Sequence, residues 1–138
     1  HRTRTDLEGL LALPGSIRLV KGAYDAPAGL AMPRGPQLDD LYLQYAERLL
    51  AAHHPCALAT HHEALMPALC QLIDTHQPPH YVLERLLGIG NEELAAWQDR
   101  GYRCRLYVVY GQEWYLYLCN RLAEYPLHLF RALSDMVG

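Results

Sequence analysis

The sequence predicts an α/β protein with a parallel sheet, from the way its elements alternate and the way they are punctuated. A helix comes first, and short apolar runs of strand length then alternate with longer stretches of helical periodicity about four times over. Pro-Gly, Pro-Pro and single Gly residues, which end elements rather than continue them, stand between the runs. The chain has 138 residues, of which 51% are hydrophobic and 20% charged. That is the size and composition of one folded domain able to bury a core without staples.

Taken in order, Thr5 to Leu13 carries Leu7, Leu10, Leu11 and Leu13 as a short helical stripe led by Asp6, and Pro14-Gly15 stops it. Ser16 to Tyr24 reads as a strand running into a loop. From Asp25 to Gln37, Pro27, Pro33 and Pro36 with Gly29 and Gly35 leave no room for a regular element. Leu38, Leu41, Tyr42, Tyr45, Ala46, Leu49 and Leu50 then fall on one face of a strong helix, with Asp39, Asp40, Gln44, Glu47 and Arg48 on the other. Cys56 to Ala59 is too short for a helix and suits a buried strand ending in Thr60-His61-His62. Glu63 to His76 is helical, with Pro67 tolerable because it lies in the first turn. Pro78-Pro79 ends that unit, and His80 to Glu84 is a weak strand leading into Leu86-Leu87-Gly88-Ile89-Gly90. Asn91 caps a helix that runs to Arg100, with Glu92 and Glu93 near its positive end and Gly101 as terminator. Arg103 to Val109 alternates as a strand, and a last helix spans roughly Glu113 to Glu124 before Pro126 and a short helical tail.

Right-handed crossovers bring the carboxyl ends of parallel strands to one side, where α/β proteins bind ligands. That side carries Lys21-Gly22-Ala23, Thr60-His61, Leu86-Leu87-Gly88, and Tyr107 with Tyr110 and Gly111. A guanidinium (Arg18), an ammonium (Lys21), an imidazole (His61) and phenols suit an anionic or electron-rich planar ligand, such as a phosphate-bearing cofactor. Arg18 points either into the enclosed side of the sheet or outward as an edge residue. In the last helix Tyr117, Asn120, Arg121 and Glu124 share one face. They form either a grip for a small amphoteric molecule or a solvated face with an Arg121–Glu124 pair.

Other classes are excluded or disfavoured. The net charge of −3 provides no basic stripe for nucleic acid. No apolar run is long enough to span a membrane and no signal peptide is visible, so a cytoplasmic rather than secreted protein is expected. Cys56, Cys70, Cys104 and Cys119 are widely spaced inside apolar stretches, which suits buried free thiols. The histidines fall as adjacent pairs or at helix ends rather than at ligand spacing, so no metal is expected. The chain begins with His1 rather than Met, which leads us to expect a piece of something longer.

Several blocks resemble, in family order, the FAD-dependent proline dehydrogenases. They are Ile17-Arg18-Leu19-Val20-Lys21-Gly22-Ala23-Tyr24, Ala59-Thr60-His61, Leu86-Leu87-Gly88-Ile89-Gly90, Arg105-Leu106-Tyr107 with Tyr110-Gly111-x-Glu113-Trp114-Tyr115, and Tyr117-x-x-Asn120-Arg121-x-x-Glu124. The likeness runs from about Asp6 to Pro126. It implies the C-terminal half of a (β/α)8 barrel, with residues 1–13 as the end of the preceding helix and 126–138 as a tail. The implied reaction is oxidation of L-proline, or a similar imino acid, to Δ1-pyrroline-5-carboxylate, by hydride transfer from C5 to FAD N5 and onward transfer of electrons to a quinone. Arg18 then matches the catalytic arginine beside flavin N5. Lys21, Gly22, Ala23, Thr60, His61 and Glu124 match cofactor contacts. Leu86, Tyr107 and Tyr117 would wall the proline pocket, and Arg121, with Asn120, would hold the carboxylate.

Two departures qualify the resemblance. The family places two arginines in the last helix where this chain has Asn120 and Arg121, and an amide supplies a hydrogen bond without charge. A full barrel also needs about 250 residues. A half-barrel leaves parallel edges and an apolar sheet face, so we expect homo-oligomerisation or a missing N-terminal half supplied from elsewhere. Peripheral membrane contact would follow from the quinone. The alternatives are a non-catalytic half-barrel that folds and self-associates, or a flavoprotein acting on a different cyclic amino acid.

Overall fold

Local signals place each element where the periodicity expects it, with small shifts that have physical causes. A computed structural model describes residues 3–21, 31–88 and 91–111. The elements are α1 (Thr3–Leu11), β1 (Ile17–Val20), α2 (Pro36–Ala51), β2 (Cys56–Ala59), α3 (Met66–His76), β3 (Tyr81–Leu86), α4 (Asn91–Asp99) and β4 (Cys104–Tyr107). A 3-10 turn at Glu63–Leu65 leads into α3. The expected last helix and C-terminal tail lie outside the described residues.

The helix boundaries follow from proline and glycine. The long helix begins at Pro36, earlier than its apolar stripe, because a proline in the first turn has no N–H to lose and a preset φ. Pro67 does the same for α3, which is why the first turn from Glu63 is 3-10 rather than α. Gln77 ends α3 in the left-handed region at φ 46, and its backbone N–H donates to the Ile73 carbonyl at 2.8 Å. α1 ends before Leu13, and Leu10 and Leu13 are exposed, so Leu7 carries the burial of that stripe.

The strands lie in the order β1-β2-β3-β4, the order of the chain. β1 pairs with β2 and β2 with β3, both parallel. This is the α/β fold class that the sequence predicts, and strands added in chain order are the arrangement of consecutive βα units. Leu19, Leu58 and Leu83 occupy one register row, and all three are buried. They form the floor on which Tyr42, Tyr45, Ala46, Leu49 and Leu50 of α2 and Leu69 and Ile73 of α3 complete the apolar core. The next row, on the opposite face, holds Arg18, Ala57 and Val82, followed by Val20, Ala59 and Glu84.

The chain divides into two compact units, His1–Glu84 and Arg85–Gly138. The first holds the leucine row and its helices. In the second, the backbone N–H of Leu87 donates to the Tyr107 carbonyl at 2.9 Å, which ties the end of β3 to the end of β4. Leu94 of α4 is buried there. The Asn91 side-chain carbonyl accepts from the Gly88 N–H at 3.1 Å and shapes the turn into α4.

Candidate active site

Within the first unit, the strands and the turns that follow them carry two separate ionic groups. The first is built on the sheet face opposite the leucine row. Arg18 Nε donates to Glu84 Oε1 at 2.5 Å, and Arg18 Nη2 pairs with the same oxygen. The Glu84 side chain is 3% exposed, whereas 44% of the Arg18 side chain remains open to solvent. A carboxylate buried to that degree requires a cation, and a guanidinium gripped along one edge satisfies it. The Arg18 side chain thus lies on the sheet face opposite the leucine row.

The second group gathers beyond the end of β1. Lys21 Nζ pairs with Asp39 Oδ1, in the first turn of α2, and lies 2.6 Å from His62 Nδ1. His62 Nδ1 is also 3.2 Å from Asp39 Oδ2. That nitrogen can accept from Lys21 or donate to Asp39, one at a time, and its proton decides which. Burial raises the Asp39 carboxyl, but the hydrogen bond and charge of Lys21, joined by those of His62, outweigh it and hold the group below its ordinary value. Thr60 is buried, and its Oγ1 accepts from the His62 N–H at 3.1 Å, so the hydroxyl shapes the turn that presents His62. His61 beside it is half-buried.

Arg18 and Lys21 therefore reach different acidic partners, and the imidazole brought to Lys21 is that of His62. Glu84, Asp39 and His62 are absent from the sequence-level site. A signal for Glu84 was present: Glu84-Arg85 places adjacent charges inside an apolar strand, and alternation sends one to each face, where each needs a partner. Arg85 is buried and reaches Glu93 Oε2 at 3.7 Å within the second unit.

Also in the second unit, Leu86 is buried at the end of β3, and Tyr107, at the end of β4, is exposed. Tyr110 stands 89% exposed. Gly22, Ala23, Tyr117, Asn120, Arg121 and Glu124 lie outside the described residues. Cys56, Cys70 and Cys104 are not in disulfide bonds. Burial pushes Cys56 up to about 11. Among the described residues no group of three or more His, Cys, Asp or Glu is placed to hold a metal ion. Nor is any helix there long and apolar enough to cross a membrane. His53 and His76 stand at the ends of α2 and α3, 3.1 Å apart from His53 Nε2 to the His76 carbonyl.

A parallel sheet in chain order, with Lys21 and His62 just past the carboxyl ends of β1 and β2, defines a βα-repeat protein of the α/β class. The family model described as Proline dehydrogenase matches residues 12–125. The chain is 31% identical over 138 residues to Proline dehydrogenase 2 of Bacillus subtilis, covering 99% of this chain and 46% of that protein. It is 36% identical over 142 residues to Proline dehydrogenase 1 of the same organism, covering 99% of this chain and 46% of the relative. To the Proline dehydrogenase of Deinococcus radiodurans it is 32% identical over 139 residues, again covering 99% of this chain and 45% of the relative. The chain belongs to the proline dehydrogenase family, and it spans a little under half the length of these curated relatives.

Proposed function

We propose that the chain is the C-terminal half of the catalytic barrel of a flavoenzyme that oxidises L-proline to Δ1-pyrroline-5-carboxylate. The family membership supports the reaction class. The observation that carries the site is Arg18, whose guanidinium lies on the face opposite the leucine row, anchored on one edge and open to solvent over much of its side chain. The neighbouring positions on that face of β2 are Ala57 and Ala59, so nothing beyond a methyl group rises from the strand beside it. A cation laid across small side chains and partly open to solvent fits an electron-rich planar ring.

FAD, when bound, supplies the two-electron acceptor for the hydride at proline C5, and the electrons pass on to a quinone. Arg18 contributes positive charge where negative charge collects during the transfer. Lys21, Gly22, Ala23, Thr60, His61 and Glu124 belong to the FAD contacts in this reading. Leu86, Tyr107 and Tyr117 exclude water from the proline ring, and Arg121 pairs with the substrate carboxylate. Asn120 adds a hydrogen bond without charge beside it. Oxidation removes the hydride from C5 and a proton from the ring nitrogen, leaving a C=N bond. Residues 1–13 are the end of the preceding helix and residues 126–138 a tail. The remaining half of the barrel comes from a second copy or from further chain, and the quinone brings peripheral membrane contact.

Purified protein tests this directly. A flavin absorbance band that proline bleaches supports the enzyme. A second reading, a half-barrel that folds and self-associates without turnover, is favoured by the exposed apolar side chains of Leu87, Leu106 and Val108. A colourless oligomer that gains no band on addition of FAD selects it. Where flavin binds, Asn120→Arg should tighten proline binding by about ten- to a hundredfold, since a charged hydrogen bond contributes about 1.5–3 kcal/mol. Equal proline affinity before and after the change would remove Asn120 from the substrate site.

A further inference from the structure

We propose that Glu84 is the positioning residue of Arg18, holding its guanidinium across an alanine floor on β2 and moderating the charge it presents to the flavin. The part concerning flavin rests on the function proposed above. The juxtaposition itself does not.

The strand between the partners carries the argument. β2 lies between β1 and β3, and adjacent strands are about 4.8 Å apart, so the Arg18–Glu84 pair spans about 10 Å of sheet. Arg18 is in register with Ala57, and Glu84 with Ala59. The arginine must therefore pass over β2 where those two side chains stand, and both are buried methyl groups. A branched side chain at Ala59 would occupy the path. Small residues on the middle strand thus permit a long-range pair between its neighbours.

The grip is also directional. Glu84 Oε1 takes the Nε–Nη2 edge of the guanidinium, which turns the opposite edge away from the carboxylate. Because Glu84 is the buried partner and Arg18 the exposed one, the carboxylate acts as a fixed anchor and the guanidinium as the end it orients. A carboxylate in contact also cancels part of the field that Arg18 exerts on anything bound at its open side. Glu84→Gln keeps the shape and removes that cancellation.

The test uses the 15N-labelled 138-residue chain and reads the arginine Nε–H resonances, with the Arg18 signal identified by its loss in Arg18→Lys. The wild-type signal should exchange slowly with solvent, and Glu84→Gln should speed that exchange at least tenfold. Ala59→Leu, with Glu84 intact, should speed it similarly, and Ala59→Val serves if the leucine variant does not fold. Unchanged exchange in Glu84→Gln overturns the proposal, as does unchanged exchange in a folded Ala59 variant. FAD binding, followed by quenching of flavin fluorescence, forms the second arm. The ratio of affinities for reduced over oxidised FAD should rise several-fold in Glu84→Gln and fall in Arg18→Lys. If exchange responds as expected but neither substitution moves that ratio, the role toward flavin is overturned. If wild-type protein takes up no FAD at all, the proposed function fails for this chain, and the exchange arm still decides whether Glu84 positions Arg18.

Discussion

Asp39 shows how one side chain ties stability to pH. Its folded-state carboxyl is held below the ordinary value of 3.8, so the folded chain binds that proton more weakly than the unfolded chain does. The stability it contributes is therefore present above the unfolded value and is lost as pH falls through the lower, folded one. Asp39→Asn removes the contribution, and the variant's urea midpoint should fall less than that of the parent between about pH 6 and about pH 3. Parallel loss in the two proteins would contradict the Lys21–Asp39 pairing. Cys56 supplies a second residue-scale expectation. With its thiol pushed up to about 11 by burial, it should react with a thiol reagent at neutral pH only as the protein unfolds. Labelling in the native state at the rate of a peptide thiol would show the site to be open. Arg18 and Lys21 were legible as candidate residues because cations in or just after an apolar strand are chemically conspicuous. Their partners were less so. Glu84 read as the end of a weak strand, although its place beside Arg85 in an apolar run marks it as a charge that needs a partner. Asp39 read as part of a polar helix face, where nothing local distinguishes a paired carboxylate from a solvated one.

At the scale of elements, the leucine row decides stability. Leu58 lies between Leu19 and Leu83 in the register and is fully buried beneath the helices. Leu58→Ala should cost about 2–5 kcal/mol, the lost transfer energy plus the cavity left behind, measured as a lower urea midpoint with unchanged slope. A loss under about 1 kcal/mol would mean that the strand is less enclosed than the row implies. The surface pair between Arg48 and Glu8 is half-exposed on both sides, and its removal should change little. Elements were the most legible level of the sequence. β2 matches the apolar run Cys56 to Ala59, and the stripe of α2 matches its buried residues. The shifts fall where proline starts a helix earlier than its apolar stripe does, or where a strand such as β3 carries charges that mask its extent to Leu86.

For the whole molecule, the outer strands matter more than any single residue. β1 and β4 are the outer members of the strand order. Leu106 of β4 is exposed, as are Leu87 and Val108 in the same unit. Apolar residues on an outer strand favour association with a further strand or chain. In sedimentation the chain should therefore run larger than the 15.7 kDa of one copy, and Leu106→Lys should shift it toward the monomer. A strictly monomeric wild-type chain at micromolar concentration would remove self-association as a role for its outer strands.

The sequence by itself determined the α/β class, the parallel order of its strands and the family, because periodicity, punctuation and motif order are all local properties of the chain. Only the tertiary structure decided which charges meet. Arg18 and Glu84 are 66 residues apart, and Lys21 and His62 are 41 apart. Contacts at that separation depend on strand register and on which side chains stand between. Two alanines on β2 leave the way clear from Arg18 to Glu84, and the α2 terminus puts Asp39 within reach of Lys21.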